Sequence, residues 1–467
     1  MDQYSGTVLH LQNLEVCNFT KREENKLTVE TIQGRLNAEA KTCRRCGVRM
    51  HELGTRSIRL KHMSTISGRI DVEVEYHRYR CPVCGRIRRS HIPFKAKGHN
   101  ITLQMESMII SSLDRLKMTV KDTAKAFNVS RNIVKELDRR RLGIKAGDMR
   151  PRHYSTYIGI DEFLLHHNHR CATSVVDLET GEVLFLERGN TIQQAEHFIS
   201  FAGRDFMSHV KAVSMDMNAQ FPTAFANMAP HVKIVYDPFH IIKSYNDRVI
   251  TEIRRDEQRK LDEGIEKARR EHDLETAREL ALEAQTLKRS NCLVLSSRKT
   301  LLARDEAARE HNRMLHEKYG KRGLSIPANE HAWSVNSSRR LNEMLASNER
   351  IQAAYVFREM LQSALACMNA AIMRAALTRY IAAIRKSRIK ELEGIASMLE
   401  KRIDGIVSHA IYHISNGIVE GTNNMIKTLR RQAYGFRDDE CFFLKIWDES
   451  RKGLDDRMYN RLHRKRA

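Results

Sequence analysis

Three carboxylates in this chain stand where chemistry at a phosphate would need them. Tyr157-Ile158-Gly159-Ile160-Asp161 brings an apolar strand to an acid, and Ala212-Val213-Ser214-Met215-Asp216 repeats the design. A strand end presents a carboxylate at a sheet edge without burying it unpaired, and two such ends on neighbouring strands can share metal ions. Near the C-terminus, Ser415-Asn416-Gly417-Ile418-Val419-Glu420 opens a helix in which Glu420, Asn424, Lys427 and Arg431 fall on one face by their i, i+4, i+7 spacing. An acid beside cations suits a metal and a phosphate together. Magnesium takes oxygen ligands and keeps several waters, so three carboxylates leave positions open for a scissile phosphate and an attacking hydroxyl. Two ions about 3.5–4 Å apart would activate the nucleophile and stabilise the departing oxygen. Asp237 also ends an apolar strand and competes with Asp216 for the second place. Glu162 and Asp177 compete more weakly, as a strand neighbour and a hairpin-turn residue.

A second chemistry is carried by Cys43-Arg44-Arg45-Cys46 and Cys81-Pro82-Val83-Cys84, each followed by glycine. Two residues between thiolates let both sulfurs reach one tetrahedral zinc, and the glycine lets the turn close. The five remaining cysteines are scattered singly, so metal ligation is favoured over disulfides. Arg44, Arg45, Arg86, Arg88 and Arg89 crowd these turns and favour DNA as the neighbour. Further on, Val120 to Phe127 reads as a short helix with Ala124 small enough for a close crossing. Asn128-Val129 makes the turn and Ser130 caps a second helix, which presents Arg131, Asn132 and Lys135. Such side chains reach base edges and phosphates from a major groove.

These residues need elements to hold them. A chain of 467 residues allows about three domains. Its 80 Lys plus Arg against 58 Asp plus Glu leave +22, a balance whose commonest use is attraction to a polyanion. No apolar run spans a membrane and no secretory signal opens the chain, so a cytoplasmic, nucleoid-associated protein is expected. Residues 1–40 form an N-terminal segment with a short strand at Val8 to Leu11. A zinc module over 41–98 carries a strand from Ile70 to Tyr79, and a helix-turn-helix covers 99–150. From 151 to 250, strands at Tyr157–Ile160, Ala172–Val176, Val183–Leu186, Ala212–Met215 and Lys233–Tyr236 interleave with helices at Gln193–Met207 and Pro222–Met228. That is a mixed α/β layer. Residues 251–404 read as a long all-α insertion, 405–447 return to the α/β domain, and 448–467 are a basic tail.

The chain resembles the bacterial insertion-sequence transposases of the ISL-three type. The resemblance rests on Gly-Ile-Asp161-Glu-Phe, on Asp216-Met-Asn, on Asp237-Pro-Phe-His240-Ile-Ile-Lys, and above all on SNGIVEGTNNMIKTLRRQAYGFR at 415–437. It implies an RNase H-like nuclease with a DDE triad of Asp161, Asp216 and Glu420, interrupted by the helical insertion. It also implies accessory roles for Asp237 and His240, which match an acid, two residues, then His. The expected cofactors are two Mg or Mn ions at the triad and one structural Zn at Cys43, Cys46, Cys81 and Cys84. Lys427, Arg430 and Arg431, with Asn424, are the phosphate contacts beside the acids, and Trp333 in the insertion is a candidate to stack on an unpaired base. The expected activity is binding of terminal inverted repeats, cleavage of the ends and joining of the 3′ hydroxyls to target DNA. Transposon ends and target are thus the DNA partners, and bringing two ends together calls for a homodimer or larger assembly. The alternative is a DNA-binding regulator on the same zinc and helical modules with an inactive nuclease fold.

Overall fold

The computed structural model describes residues 10–24, 27–64, 68–114, 118–147, 150–151, 153–166, 170–217, 220–319, 330–432 and 438–454. Two compact units emerge, one of Met1–Met149 with Ile426–Lys452, the other of Arg150–Met425 with Gly453–Ala467. The first strand expected, at Val8 to Leu11, begins outside the described residues, as does the tail beyond 454.

The first unit opens with a five-stranded sheet. Strands β1 (Leu14–Glu24), β2 (Leu27–Leu36), β3 (His51–Ser64) and β4 (Gly68–Arg80) lie in the order β1-β2-β4-β3, and β5 (Ile87–Arg89) pairs with β4. Strands β1 and β2 thus share the sheet of the cysteine module, β2 running parallel to β4 from Thr28↔Gly68 to Arg35↔Glu75. Side-chain alternation puts Val72 and Val74 of β4 in a core with Leu14, Ile32, Leu60 and Phe94. Three helices follow: α1 (Leu103–Asp114), α2 (Val120–Ala126) and α3 (Arg131–Ala146). Thr119 Oγ1 accepts from Asp122 N–H at 3.1 Å and Ser130 Oγ from Ile133 N–H at 3.4 Å, so each of the last two starts on a side-chain cap. Asn128 turns the chain between them at φ 49°, and Ala124, Phe127, Val134 and Leu137 close a small core with Met105 and Ile109 of α1. A late helix, Asp439–Arg451, returns to α3, where buried Arg141 bonds Asp138 at 2.9 Å, Asp114 at 2.8 Å and Asp448 at 3.3 Å.

The second unit is built on another five-stranded sheet. Its strands are β6 (Tyr157–His166), β7 (Arg170–Asp177), β8 (Val183–Arg188), β9 (Ala212–Met215) and β10 (Lys233–Tyr236), in the order β10-β9-β6-β7-β8. β6, β7 and β8 form an antiparallel meander, while β9 and β10 run parallel to β6. The return legs are α4 (Ile192–His209), before β9, and α5 (Phe221–Met228), before β10. The turn between β7 and β8 is organised by Asp177, whose Oδ1 accepts from Glu179 N–H at 2.8 Å and Thr180 N–H at 2.6 Å.

After β10 the regular elements of the described residues are helices, among them α6 (Pro238–Tyr245), α7 (Thr251–Arg270), α8 (Leu274–Arg289), α9 (Asn291–Leu295), α10 (Arg298–Tyr319), α11 (Ser337–Ser347), α12 (Glu349–Leu365), α13 (Ala370–Ser387), α14 (Lys390–Val407) and α15 (His409–Tyr412). These helices continue the core of the sheet. Ile158, Val213 and Phe198 belong to one buried cluster with Tyr245, Tyr355, Tyr380 and Leu399. Tyr245 Oη donates to Ala354 O at 2.8 Å, and Arg358 reaches Asn246 Oδ1 at 2.8 Å and Leu295 O at 2.9 Å, so two of the polar side chains that enter this core arrive with partners. The last helices are α16 (Gly417–Gln432) and α17 (Asp439–Arg451), and the boundary between the two units falls within α16. Among the described residues no helix is long and apolar enough to cross a membrane.

Candidate active site and metal centre

The four cysteines come together in the first unit. Cys43, Cys46, Cys81 and Cys84 offer sulfurs that all lie within 4.8 Å of one another, and Cys43 Sγ is 3.6 Å from Cys84 Sγ. Tetrahedral Zn–S bonds of about 2.3 Å would set sulfurs about 3.8 Å apart, so the donor set fits zinc. Each turn closes on a left-handed glycine, Gly47 at φ 67° and Gly85 at φ 66°, whose N–H groups return to Cys43 O at 2.9 Å and Cys81 O at 3.0 Å. The backbone N–H groups of Cys46 and Arg45 point at the Cys43 thiol and lower its pKa to about 6. Cys46 is pushed up to about 12 by the sulfur of Cys84 and by burial, the mark of a crowded sulfur set whose charge a cation would relieve.

The acids belong to the second unit. β6 does not end at Asp161, as its apolar run had implied. It continues to His166, with Asp161 opposite Ser174 of β7. On the other side, pairing with β9 stops at Gly159↔Ser214, so Asp161 stands at an edge only where β9 has run out. Continuing the register of the parallel strands, with Tyr236↔Met215 on β10, places Asp161, Asp216 and Asp237 in one row across three neighbouring strands. Short apolar strands thus deliver Asp216 and Asp237 to the rim where β6 carries Asp161.

The three acids in that row differ in their partners. Asp161 Oδ1 accepts from Glu162 N–H at 2.9 Å and its Oδ2 from Asn423 Nδ2 at 2.9 Å. Burial raises its pKa to about 6, against the pull of the Glu162 N–H and His240 and with a push from Asp216. Asp216 is a third exposed and its Oδ2 lies 3.6 Å from His240 Nδ1. Asp237 is buried and fully occupied by backbone: Oδ1 caps α6 by accepting from Phe239 N–H at 2.9 Å, and Oδ2 accepts from Asn416 N–H at 2.7 Å. That second bond fixes the start of the helix carrying Glu420.

α16 reaches the sheet through its apolar stripe. Val419 is fully buried and lies where a Cβ on Gly159 would come within 2.4 Å, so the glycine is what admits the helix against β6. Glu420, Asn424, Lys427 and Arg431 all lie on the exposed side, as their spacing required, and the guanidinium of Arg430 stacks over Phe442 at 5.7 Å. Asn423, not singled out by sequence, faces inward with Val419 and Ile426; following the apolar periodicity of 419, 422, 423 and 426 would have found it. Among the described residues the four cysteines are the one group of three or more metal-capable side chains within 4.8 Å, so Glu420 does not close on the aspartates to that distance. Around the acids, Asn423 Oδ1, His240 Nε2, Ser214 Oγ and both polar atoms of the Asn416 side chain are buried without hydrogen-bond partners. With the carboxylates of Asp161 and Asp216 beside it, that set of open oxygen and nitrogen donors fits a hard divalent cation and its waters.

The remaining candidates are exposed. Arg131, Asn132 and Lys135 project from the first turns of α3. Trp333 is 49% exposed, yet held on both sides: its ring stacks on His311 with centroids 4.0 Å apart, and its backbone exchanges hydrogen bonds with the Asn312 side chain at 2.7 and 2.9 Å.

Comparison with known proteins shows the family. The transposase for insertion sequence element IS1001 of Bordetella parapertussis is 27% identical to this chain over 412 residues, 88% of each chain. The transposase of element IS1557 from Mycobacterium tuberculosis is 23% identical over 287 residues, 61% of this chain and 57% of its own. A family profile described as a transposase, the ISL3 class of DDE transposases, matches residues 158–446, which span both the rim of aspartates and the helix of Glu420. The chain belongs to the ISL3 family of DDE transposases.

Proposed function

We propose that this chain binds the terminal inverted repeats of an insertion sequence, cleaves the DNA ends and joins their 3′ hydroxyls to target DNA, with Asp161, Asp216 and Glu420 as the catalytic acids. One observation carries the reading: Asp161 and Asp216 share a row on adjacent parallel strands, and the helix of Glu420 is docked on the same strand through Val419 over Gly159. The meander followed by two parallel strands supports an RNase H-like fold for the sheet within 151–250; residues 405–447 are proposed to complete the catalytic domain, with 251–404 as its all-α insertion. Two Mg or Mn ions bound there would supply charge neutralisation at the scissile phosphate and an activated attacking hydroxyl. His240 orients Asp216, and Asp237 anchors the start of α16, which makes both accessory to the acids. Asn424, Lys427, Arg430 and Arg431 hold DNA phosphates along α16.

The structural zinc sits at Cys43, Cys46, Cys81 and Cys84. The capped pair α2 and α3 acts as a helix-turn-helix, with Arg131, Asn132 and Lys135 in the major groove. Trp333, rigid and exposed, stacks on an unpaired base at a cleaved end. Two ends held together require a homodimer or larger assembly. A duplex bearing an element end, incubated with Mg2+, tests the reading: wild-type protein nicks it, and Asp216→Asn binds it without cutting. Wild-type protein that shifts the duplex but never cuts would instead favour the DNA-binding regulator.

A further inference from the structure

The helix that carries Glu420 meets the sheet in three ways, and one of them reaches Asp161. Val419 fills the space over Gly159. The Asn416 N–H donates to Asp237 Oδ2 at 2.7 Å, and Asn423 Nδ2 donates to Asp161 Oδ2 at 2.9 Å. The first two contacts fix where the helix starts and how closely it lies. They do not involve Asp161. Asn423 stands three residues beyond Glu420, on the inward stripe between Val419 and Ile426, which are 0% and 1% exposed. Its carbonyl Oδ1 is buried and has no hydrogen-bond partner. A buried amide carbonyl left open is costly to a fold that has no use for it, so the position is not explained by packing.

We propose that Asn423 is a positioning residue of the transposition site: its amide couples Asp161 to the helix of Glu420, so that the outer oxygen of the strand acid and the height of the helix are set together. The inference rests on the reading of Asp161 and Glu420 as catalytic acids. Partners that orient a ligand carboxylate from behind commonly govern metal affinity or activity by about 10- to 100-fold. The open Oδ1 adds an acceptor directly beside Asp161.

Full-length Asn423→Leu keeps the volume and removes the amide, Asn423→Gln keeps an amide donor, and Asp161→Asn and Glu420→Gln serve as parallel variants. The readouts are Mn2+ binding to the DNA-free protein, followed by the electron paramagnetic resonance of free Mn2+, and kcat and KM for end cleavage measured separately. Asn423→Leu is expected to weaken Mn2+ binding and lower kcat by about 10- to 100-fold, with KM for the DNA end unchanged within about twofold and with partial recovery in Asn423→Gln. Wild-type Mn2+ binding and kcat in Asn423→Leu, with Asp161→Asn and Glu420→Gln inactive, would overturn the inference alone. A lower Tm in Asn423→Leu with both readouts unchanged would overturn it too, by making the residue merely structural. Wild-type cleavage by Asp161→Asn and Glu420→Gln would remove the reading beneath it.

Discussion

The four cysteines are held within 4.8 Å of one another, with backbone N–H groups already aimed at a sulfur, whereas Asp161, Asp216 and Glu420 occupy a rim and a helix that do not close to that distance. The difference follows from the distances along the chain. Each cysteine pair is fixed by one tight turn, and a single antiparallel hairpin, β3 with β4, brings the turns together. The acids come from two strands and a helix far apart in sequence, and the helix is docked by a few specific contacts. A centre made of local turns gathers all its donors on one hairpin; a centre made of distant segments depends on how a helix docks on a sheet. The cysteine site is thus expected to govern folding of its unit, and the acidic site to govern rate.

The largest effect expected is on the cysteine side. Zinc binding to such small modules is worth on the order of 10 kcal/mol, so chelation of the metal, or Cys81→Ser, should unfold the sheet of β1–β5. Hydrogen exchange should show those strands losing protection while β6–β10 keep theirs; protection retained in both would erase the contrast. On the acidic side, Asp161→Asn, Asp216→Asn or Glu420→Gln should lower end cleavage by roughly 10³-fold, about 4 kcal/mol of barrier, with Tm within a degree or two of wild type.

A third test sets two acids of the second unit against each other. Asp161 is held by an amide and a backbone N–H, while Asp177 faces His153, whose Nε2 lies 3.4 Å from Asp177 Oδ2 and whose Nδ1 lies 3.2 Å from Glu182 Oε2. The two carboxylates raise the pKa of His153 to about 9. Burial raises the pKa of Asp177, but His153, Ser155 and Thr180 outweigh it and hold it near 2. Because the folded value of His153 lies above its unfolded value near 6.5, its stabilisation is complete below about pH 6.5 and is lost as pH rises through 9, on the order of 3 kcal/mol in all. Thermal melts should therefore show Tm falling between pH 7 and 10 in wild type, with His153→Gln lower at pH 7 and flat over that range. The smallest expected effect is at the docking of α16: Gly159→Val should cost about 1–3 kcal/mol by driving side chains into Val419 and Leu178. Cleavage should fall with it, and unchanged cleavage would show that the fit of helix on strand does not matter to the acids.

Much of this was legible in the residues, in proportion to how local the cause is. Cys-x-x-Cys with a following glycine, Ser130 as a cap and Asn128 at a turn each act through neighbours in sequence, and each stands where that chemistry puts it. The strands Ala212–Met215 and Lys233–Tyr236 have the bounds that their apolar runs implied. The extension of β6 to His166 was hidden because its outer half pairs only with β7, and one-sided pairing leaves a mixed pattern of burial. The pairing of β2 with β4 was hidden because parallel neighbours are not joined by a readable turn. Asp237 looks like an acid of the row in sequence and is distinguished from Asp216 only by backbone N–H groups, one of them from Asn416, that no local pattern foretells. Asn423 is not marked by the sequence because the charged residues of α16 fall on its exposed face, while the amide that reaches Asp161 lies on the apolar side.

The account stands on the convergence of Glu420 with the aspartates when DNA is bound. Anomalous scattering from Mn2+ in crystals of the protein with a DNA end measures it directly. Two peaks about 3.5–4 Å apart, held by Asp161, Asp216 and Glu420 together, are the predicted result. Peaks that leave the Glu420 carboxylate without a metal would contradict it.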